Sequence, residues 1–138
     1  LPKTGEHVHR LKVLENDIAQ MEGDCVLLET VALDRLQEDK VIARFKADRD
    51  DQYRELLGRC KDFEAEIAKE ISIRKFTYAE LDEEETDLKK LDAWFEKIRK
   101  LDFYDAPLAA TAAERLRECK ALLDRYAQMV YDAHDENR

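Results

Sequence analysis

A mainly helical fold is what the sequence predicts: an antiparallel bundle of three long helices, preceded by one shorter helix and one strand. Three observations lead there. Charged residues make up 41% of the 138 positions, while Gly and Pro number only 3 and 2, which suits solvated helices better than sheets rich in turns. Apolar residues recur at alternating steps of three and four along three separate segments, the spacing of a helix that lies along a partner. The stripes are Tyr53, Leu56, Cys60, Phe63 and Ile67; then Leu88, Leu91, Phe95 and Ile98; then Ala112, Leu116, Cys119, Leu123, Tyr126 and Val130. Three such faces bury one another when the helices close as a bundle.

Taken in order, Thr4 is a good N-cap, and Val8, Leu11, Leu14, Ile18 and Met21 follow on one face until Gly23, so a helix is expected over residues 5–22. Residues 25–31, CVLLETV, form a short apolar, β-branched run and read as a strand. Its partners would come from another chain or from sequence before Leu1, and the opening at Leu1-Pro2 favours the second. These elements make a first region, residues 1–32, ahead of the bundle at 33–138.

The long helix is expected over residues 34–70, with Gly58 inside it. Its apolar pair Ile42 and Phe45 is separated from Tyr53 by Asp48-Arg49-Asp50-Asp51-Gln52. Arg49 stands four residues from both Phe45 and Tyr53 and so occupies a face that is otherwise apolar. A charge in that place calls for a partner. Arg49 is therefore the candidate ion-pair site, held by a carboxylate at the rim of the bundle, with an anion contact as the functional alternative.

The clearest local signal lies at residues 76–81, FTYAEL. Thr77 and Glu80 have the spacing of a capping box, and Phe76 with Leu81 that of the hydrophobic staple, so a helix is expected over 78–101. Glu80, Asp82, Glu83, Glu84 and Glu85 crowd its first turns, where the helix dipole favours negative charge. Neighbouring carboxylates on one helix point around its circumference, so this run is expected to be a solvated acidic turn rather than a metal site. After a connector at residues 102–107, Asp105 is the expected cap of the last helix, residues 107–133, with Pro107 in its first turn and residues 135–138 frayed.

Several function classes find no support. A net charge of −9 opposes a polyanion, and the bases between Arg35 and Lys61 point all around their helix, so no basic stripe forms. Cys25, Cys60 and Cys119 lack CxxC spacing, and Cys60 and Cys119, which fall on apolar seams, are expected to be core thiols in a reducing compartment. His7 and His9 flank the inward-facing Val8 and are expected in solvent; with His134 they supply no ExxH pair for a bundle metal site. There is no phosphate-binding glycine loop and no GxSxG elbow. An enzyme, a cofactor and a metal are therefore not predicted, and Trp94, next to Phe95, is expected half-buried at the bundle edge. No membrane span or signal peptide is visible, so a cytoplasmic chain is expected. Leu1-Pro2-Lys3-Thr4-Gly5 matches a sortase signal but stands at the wrong end for one. The absence of an initiating Met reads as processing or as a fragment of a longer chain.

The segment FTYAELDEEETDLKKLDAWFEKIRKLDFYDAP at residues 76–107, with FKADRDDQYREL upstream and CKALLDRYAQMVY downstream, resembles the amino-terminal domain of ChrB, the bacterial chromate-resistance regulator. The resemblance covers essentially the whole chain. It is carried by FTYAEL, then LxxWFxKI, then DFxxAP in that order. Members of that family begin earlier, with a strand, a basic helix and a second strand ending near a Leu-Pro pair. Leu1-Pro2 resembles that exit, which makes the first helix and strand here a remnant of a ferredoxin-like α/β unit. The resemblance implies a transcriptional regulator of a chromate-resistance operon, with chromate as effector and operator DNA held by parts of the protein outside this segment. The segment itself is then expected to supply architecture and homo-oligomerisation, such as a dimer. A helical protein-interaction module without a DNA role is the alternative.

Overall fold

The computed structural model describes residues 1–135; of the end expected to fray, residues 135–138, Asp135 is still helical and 136–138 lie outside the described residues. The described residues form four helices: α1 (Gly5–Gln20), α2 (Arg35–Ser72), α3 (Tyr78–Leu101) and α4 (Ala109–Asp135). They divide into two compact units, residues 1–41 and residues 42 onward.

In the first unit Thr4 caps α1 as its sequence position predicts, its hydroxyl accepting from the backbone N–H of His7 at 3.1 Å. The helix ends on Met21. Glu22 takes the left-handed conformation, φ 62°, and the N–H of Gly23 then reaches back to Ile18 O at 2.9 Å. This is the closing geometry of a Schellman turn, with Glu22 rather than the glycine at the left-handed position. His7 is half-buried rather than solvated, its ring Nδ1 lying 2.8 Å from Pro2 O.

The strand expected at residues 25–31 is not formed. β-branched composition favours an extended backbone, but a strand exists only when a neighbour takes its N–H and C=O groups. Among the described residues no such neighbour pairs with it, and the segment carries no regular secondary structure. Val26, Leu28 and Val31 stay in solvent, Val26 at 78% and Val31 at 89% exposure, while Cys25 and Leu27 are half-buried. The ion pair of Lys3 with Glu29, 2.9 Å, ties this segment to the start of the unit, and no residue of α1 is buried.

The second unit is the expected helical bundle. Asp34 caps α2 through the N–H of Gln37 at 2.9 Å, and the helix then runs unbroken past the charged stretch at 48–52. Tyr53, Leu56, Cys60, Phe63 and Ile67 of α2 are buried with Leu81, Leu88, Leu91 and Ile98 of α3. Ala112, Leu116, Cys119, Leu123, Tyr126 and Val130 of α4 complete that core. Phe95 and Trp94 are partly buried against it. Cross-helix contacts give the directions. Tyr53 meets Asp102 and Phe95, whereas Glu70 lies beside Glu84, so α2 and α3 are antiparallel. Lys120 pairs with Asp92 and Tyr78 stacks on His134, so α3 and α4 are antiparallel too. Asp50 reaches Leu108 while Glu64 reaches Arg115, which leaves α2 and α4 parallel. The order is up, down, up, as short connections require.

The connector between α3 and α4 corrects one expectation. Asp105 does not cap α4: it adopts φ 52°, and the helix begins at Ala109, beyond Pro107. Asp102 organises the connector instead. Its Oδ1 accepts from Ala106 N and its Oδ2 from the Tyr53 hydroxyl, both at 2.9 Å. The burial of Tyr53 and this bond hold its hydroxyl well above the ordinary tyrosine range. Asp50 of α2 then accepts from Leu108 N at 2.9 Å and serves as the cap for α4 from another helix.

Candidate functional site

The end of the bundle where α2 stops and α3 starts carries the strongest concentration of unusual chemistry. α2 closes with a second Schellman turn, in which Arg74 takes φ 54° and Lys75 N donates to Glu70 O at 2.9 Å. The Tyr126 hydroxyl of α4 donates to Lys75 O at 2.6 Å and so pins this turn to the third helix. Thr77 then caps α3 through Glu80 N at 3.2 Å, the first half of the expected capping box. The second half is diverted, because the Glu80 carboxylate pairs with Lys75 Nζ at 2.5 Å.

Behind that ion pair three carboxylates converge. Glu66 and Glu70 lie one turn apart on α2 and share a face, and Glu84 approaches from α3. One oxygen from each lies within 4.8 Å of the others. Glu66 is exposed, whereas Glu70 and Glu84 are each 3% exposed. The Oε2 atoms of Glu70 and Glu84 are buried without a hydrogen-bond partner. Burial, followed by the closeness of Glu80 and Glu84, pushes the Glu70 carboxyl up to about 8. Burial also pushes Glu84 up to about 7. Glu80 moves the other way, held below its ordinary value by Lys75. The Tyr126 phenol is raised by burial and by the Glu70 charge.

A groove of about 450 Å³ runs beside this cluster between α2 and α3. Asp62, Glu66, Glu83, Glu84 and Asp87 line it with Trp94, and only Arg59 and Lys90 oppose their sign. Such a wall attracts cations and repels anions.

The solvated acidic turn read from the sequence thus holds for Asp82 and Glu83 but not for Glu84. The signal was present in the spacing. Glu70 continues the α2 seam at the next step of three after Ile67, and Glu84 stands between Leu81 and Leu88 at steps of three and four. Both glutamates occupy core positions, and the third member, Glu66, is legible only once α2 and α3 are placed side by side.

Arg49 lies near the other end of the unit, half-buried on α2. Its Nε is buried without a hydrogen-bond partner, and so is Oε1 of Gln52, three residues on. Among the described residues no carboxylate comes within ion-pair distance of it. A buried guanidinium N–H without a partner can be met by one water or can take an anion. Arg115 has the partner that Arg49 lacks, a bidentate pair with Glu64 at 2.7 and 3.0 Å. Cys60 and Cys119 are buried free thiols, with Cys119 Sγ 3.8 Å from Cys60 O and 3.6 Å from Glu64 Oε1. No helix among the described residues is long and apolar enough to cross a membrane.

The sequence pattern of the family described as Protein ChrB, N-terminal, matches residues 1–137. No curated protein and no solved structure matches the chain.

Proposed function

The chain belongs to the ChrB amino-terminal family, which ties it to chromate resistance, and from that premise we propose that it is the architectural part of a chromate-responsive transcriptional regulator. In this reading the protein works in the cytoplasm, binds operator DNA through parts outside this segment, and forms a homo-oligomer through it. The match over residues 1–137 is the observation that carries the proposal. Two features of the chain support the division of labour. A net charge of −9 disfavours phosphate contact by this segment, and the acidic groove between α2 and α3 adds to the repulsion. The first unit leaves Val26, Leu28, Val31 and Leu33 in water, which suits a surface that meets further protein. Those same apolar side chains would serve the second reading equally, a helical interaction module with no DNA role. No catalytic part is assigned to the segment, and chromate enters as effector rather than as substrate.

Titration of labelled chromate-operon promoter DNA at several salt concentrations, with a scrambled duplex as control, tests this. The complete regulator is expected to bind the promoter selectively and to release it with chromate, while residues 1–138 alone bind weakly and without selectivity. Tight, selective binding by the segment alone would move the DNA-reading surface into it. Failure of the complete protein to bind any operon promoter would leave the interaction module.

A further inference from the structure

We propose that Glu66, Glu70 and Glu84 form a binding site for one hard divalent cation of the Mg²⁺, Mn²⁺ or Ca²⁺ class, set between α2 and α3. Two separate observations carry this. The first is the fit: metal–oxygen bonds of about 2.1–2.5 Å place two ligands of one ion no more than about 4–5 Å apart. The three carboxylate oxygens, all within 4.8 Å of one another, come from two helices to within reach of one ion, and small side-chain rotations would draw them onto the shorter bonds. The second is the deficit: Glu70 and Glu84 are buried to 3% exposure, and each keeps an Oε2 with no donor. Leaving a carboxyl oxygen buried and unpaired is costly, most of all once the group ionises. One dication between them satisfies both.

The surroundings choose the kind of ion and its route. The nearest ammonium, Lys75, is engaged by Glu80 at 2.5 Å and so does not neutralise Glu70. Tyr126, the group facing the cluster from α4, spends its hydroxyl on Lys75 O and offers no second proton. Among the described residues no His or Cys joins the set. An all-carboxylate shell selects hard cations over Zn²⁺ or Cu²⁺, which prefer nitrogen and sulfur. Glu66 is exposed and lines the acidic groove together with Glu84, so an ion gathered by Asp62, Glu83 and Asp87 has a path inward. Because Glu66 and Glu70 come from α2 and Glu84 from α3, a bound ion would bridge the two helices next to their turn and stiffen that end of the bundle.

Manganese chloride is the probe, added to the full chain after chelator treatment and followed by loss of the free-ion electron paramagnetic resonance signal. One Mn²⁺ per chain is expected, displaced by excess Ca²⁺ or Mg²⁺. Trp94 is the only tryptophan and lines the same groove, so its fluorescence should be quenched in step with binding. Glu70→Gln and Glu84→Gln are each expected to weaken binding at least tenfold and to abolish the quenching, while Asp82→Asn on the exposed side of α3 leaves both unchanged. Gln keeps the shape and removes the ionisable carboxyl, and unaltered far-ultraviolet circular dichroism would establish that the variants are folded. Mn²⁺ should raise the melting temperature of the parent chain and not that of the Glu70→Gln, Glu84→Gln double variant. Many weak sites that the two substitutions do not alter, or no binding at millimolar Mn²⁺, would overturn the proposal. The experiment uses neither DNA nor chromate, so its outcome is independent of the regulator reading.

Discussion

Asp50, in the first half of α2, accepts a hydrogen bond from the backbone N–H of Leu108 at 2.9 Å, so α4 is capped by a side chain 58 residues away. The first N–H groups of a helix have no partner within it, and an acid there also meets the positive end of the dipole. Removing a capping carboxylate costs about 1–2 kcal/mol. Asp50→Ala is therefore expected to lower urea-unfolding stability by that amount, and Asp50→Asn by less, because an amide oxygen still accepts. Equal losses from both would assign the effect to charge rather than to the cap.

The contrast with Asp105 shows where local sequence stops being informative. Asp105-Ala106-Pro107 has the spacing of a local cap, and from sequence nothing competes with it. The tertiary arrangement does compete: Asp102 draws in Ala106 N and Tyr53, which leaves the start of α4 facing Asp50. The seams from Tyr53 to Val130 were legible because a core imposes a period on every residue it buries. Glu70 and Glu84 obey the same period, yet a search for apolar residues passes over them. Residues 25–31 failed in the opposite sense, since their composition favours a strand that no described neighbour pairs.

Two backbone positions offer stabilisation. Gly58 lies in the helical interior of α2, and a Cβ built there meets nothing within 4 Å. Gly58→Ala is expected to add about 0.5–1 kcal/mol by restricting the unfolded chain. Arg74 holds φ 54° at the end of α2, a conformation that costs a residue with Cβ and costs glycine little. Arg74→Gly is expected to add a similar amount. Thermal melts of the two single variants and the double variant check both, and the gains should add because the sites are far apart in sequence and share no contact.

Arg49 separates a structural from a functional role. Its Nε is buried and unpaired, so replacing it by an apolar side chain of similar length removes a desolvation cost. Arg49→Met is expected to leave stability unchanged or raise it by up to about 2 kcal/mol in chemical unfolding. If chromate response in the complete regulator is then lost while the fold is kept, the guanidinium is an anion contact; an intact response makes it structural.

The last expectation concerns pH and follows from the two buried glutamates in metal-free protein. Glu70, with its carboxyl pushed up to about 8, and Glu84, at about 7, keep their protons in the fold at pH values where the unfolded chain has released them. The folded state therefore binds more protons than the unfolded state between about pH 4.5 and 8, and stability must fall as pH rises through that window. The groups facing the pair from α2, α3 and α4 set how far. Glu66 and Asp87 add negative charge, Tyr126 stays neutral throughout, and the Lys75–Glu80 pair stays ionised. Glu80, whose carboxyl is held low, acts in the opposite direction, but only at acid pH where its pairing with Lys75 is lost. Urea unfolding in the presence of chelator should thus show the parent chain less stable at pH 8 than at pH 5.5. The Glu70→Gln, Glu84→Gln double variant should flatten that slope and exceed the parent by about 1–3 kcal/mol at pH 8. A parent chain whose stability rises over the same interval would mean that both carboxylates ionise without penalty, and that the end of the bundle is wetter than its burial indicates.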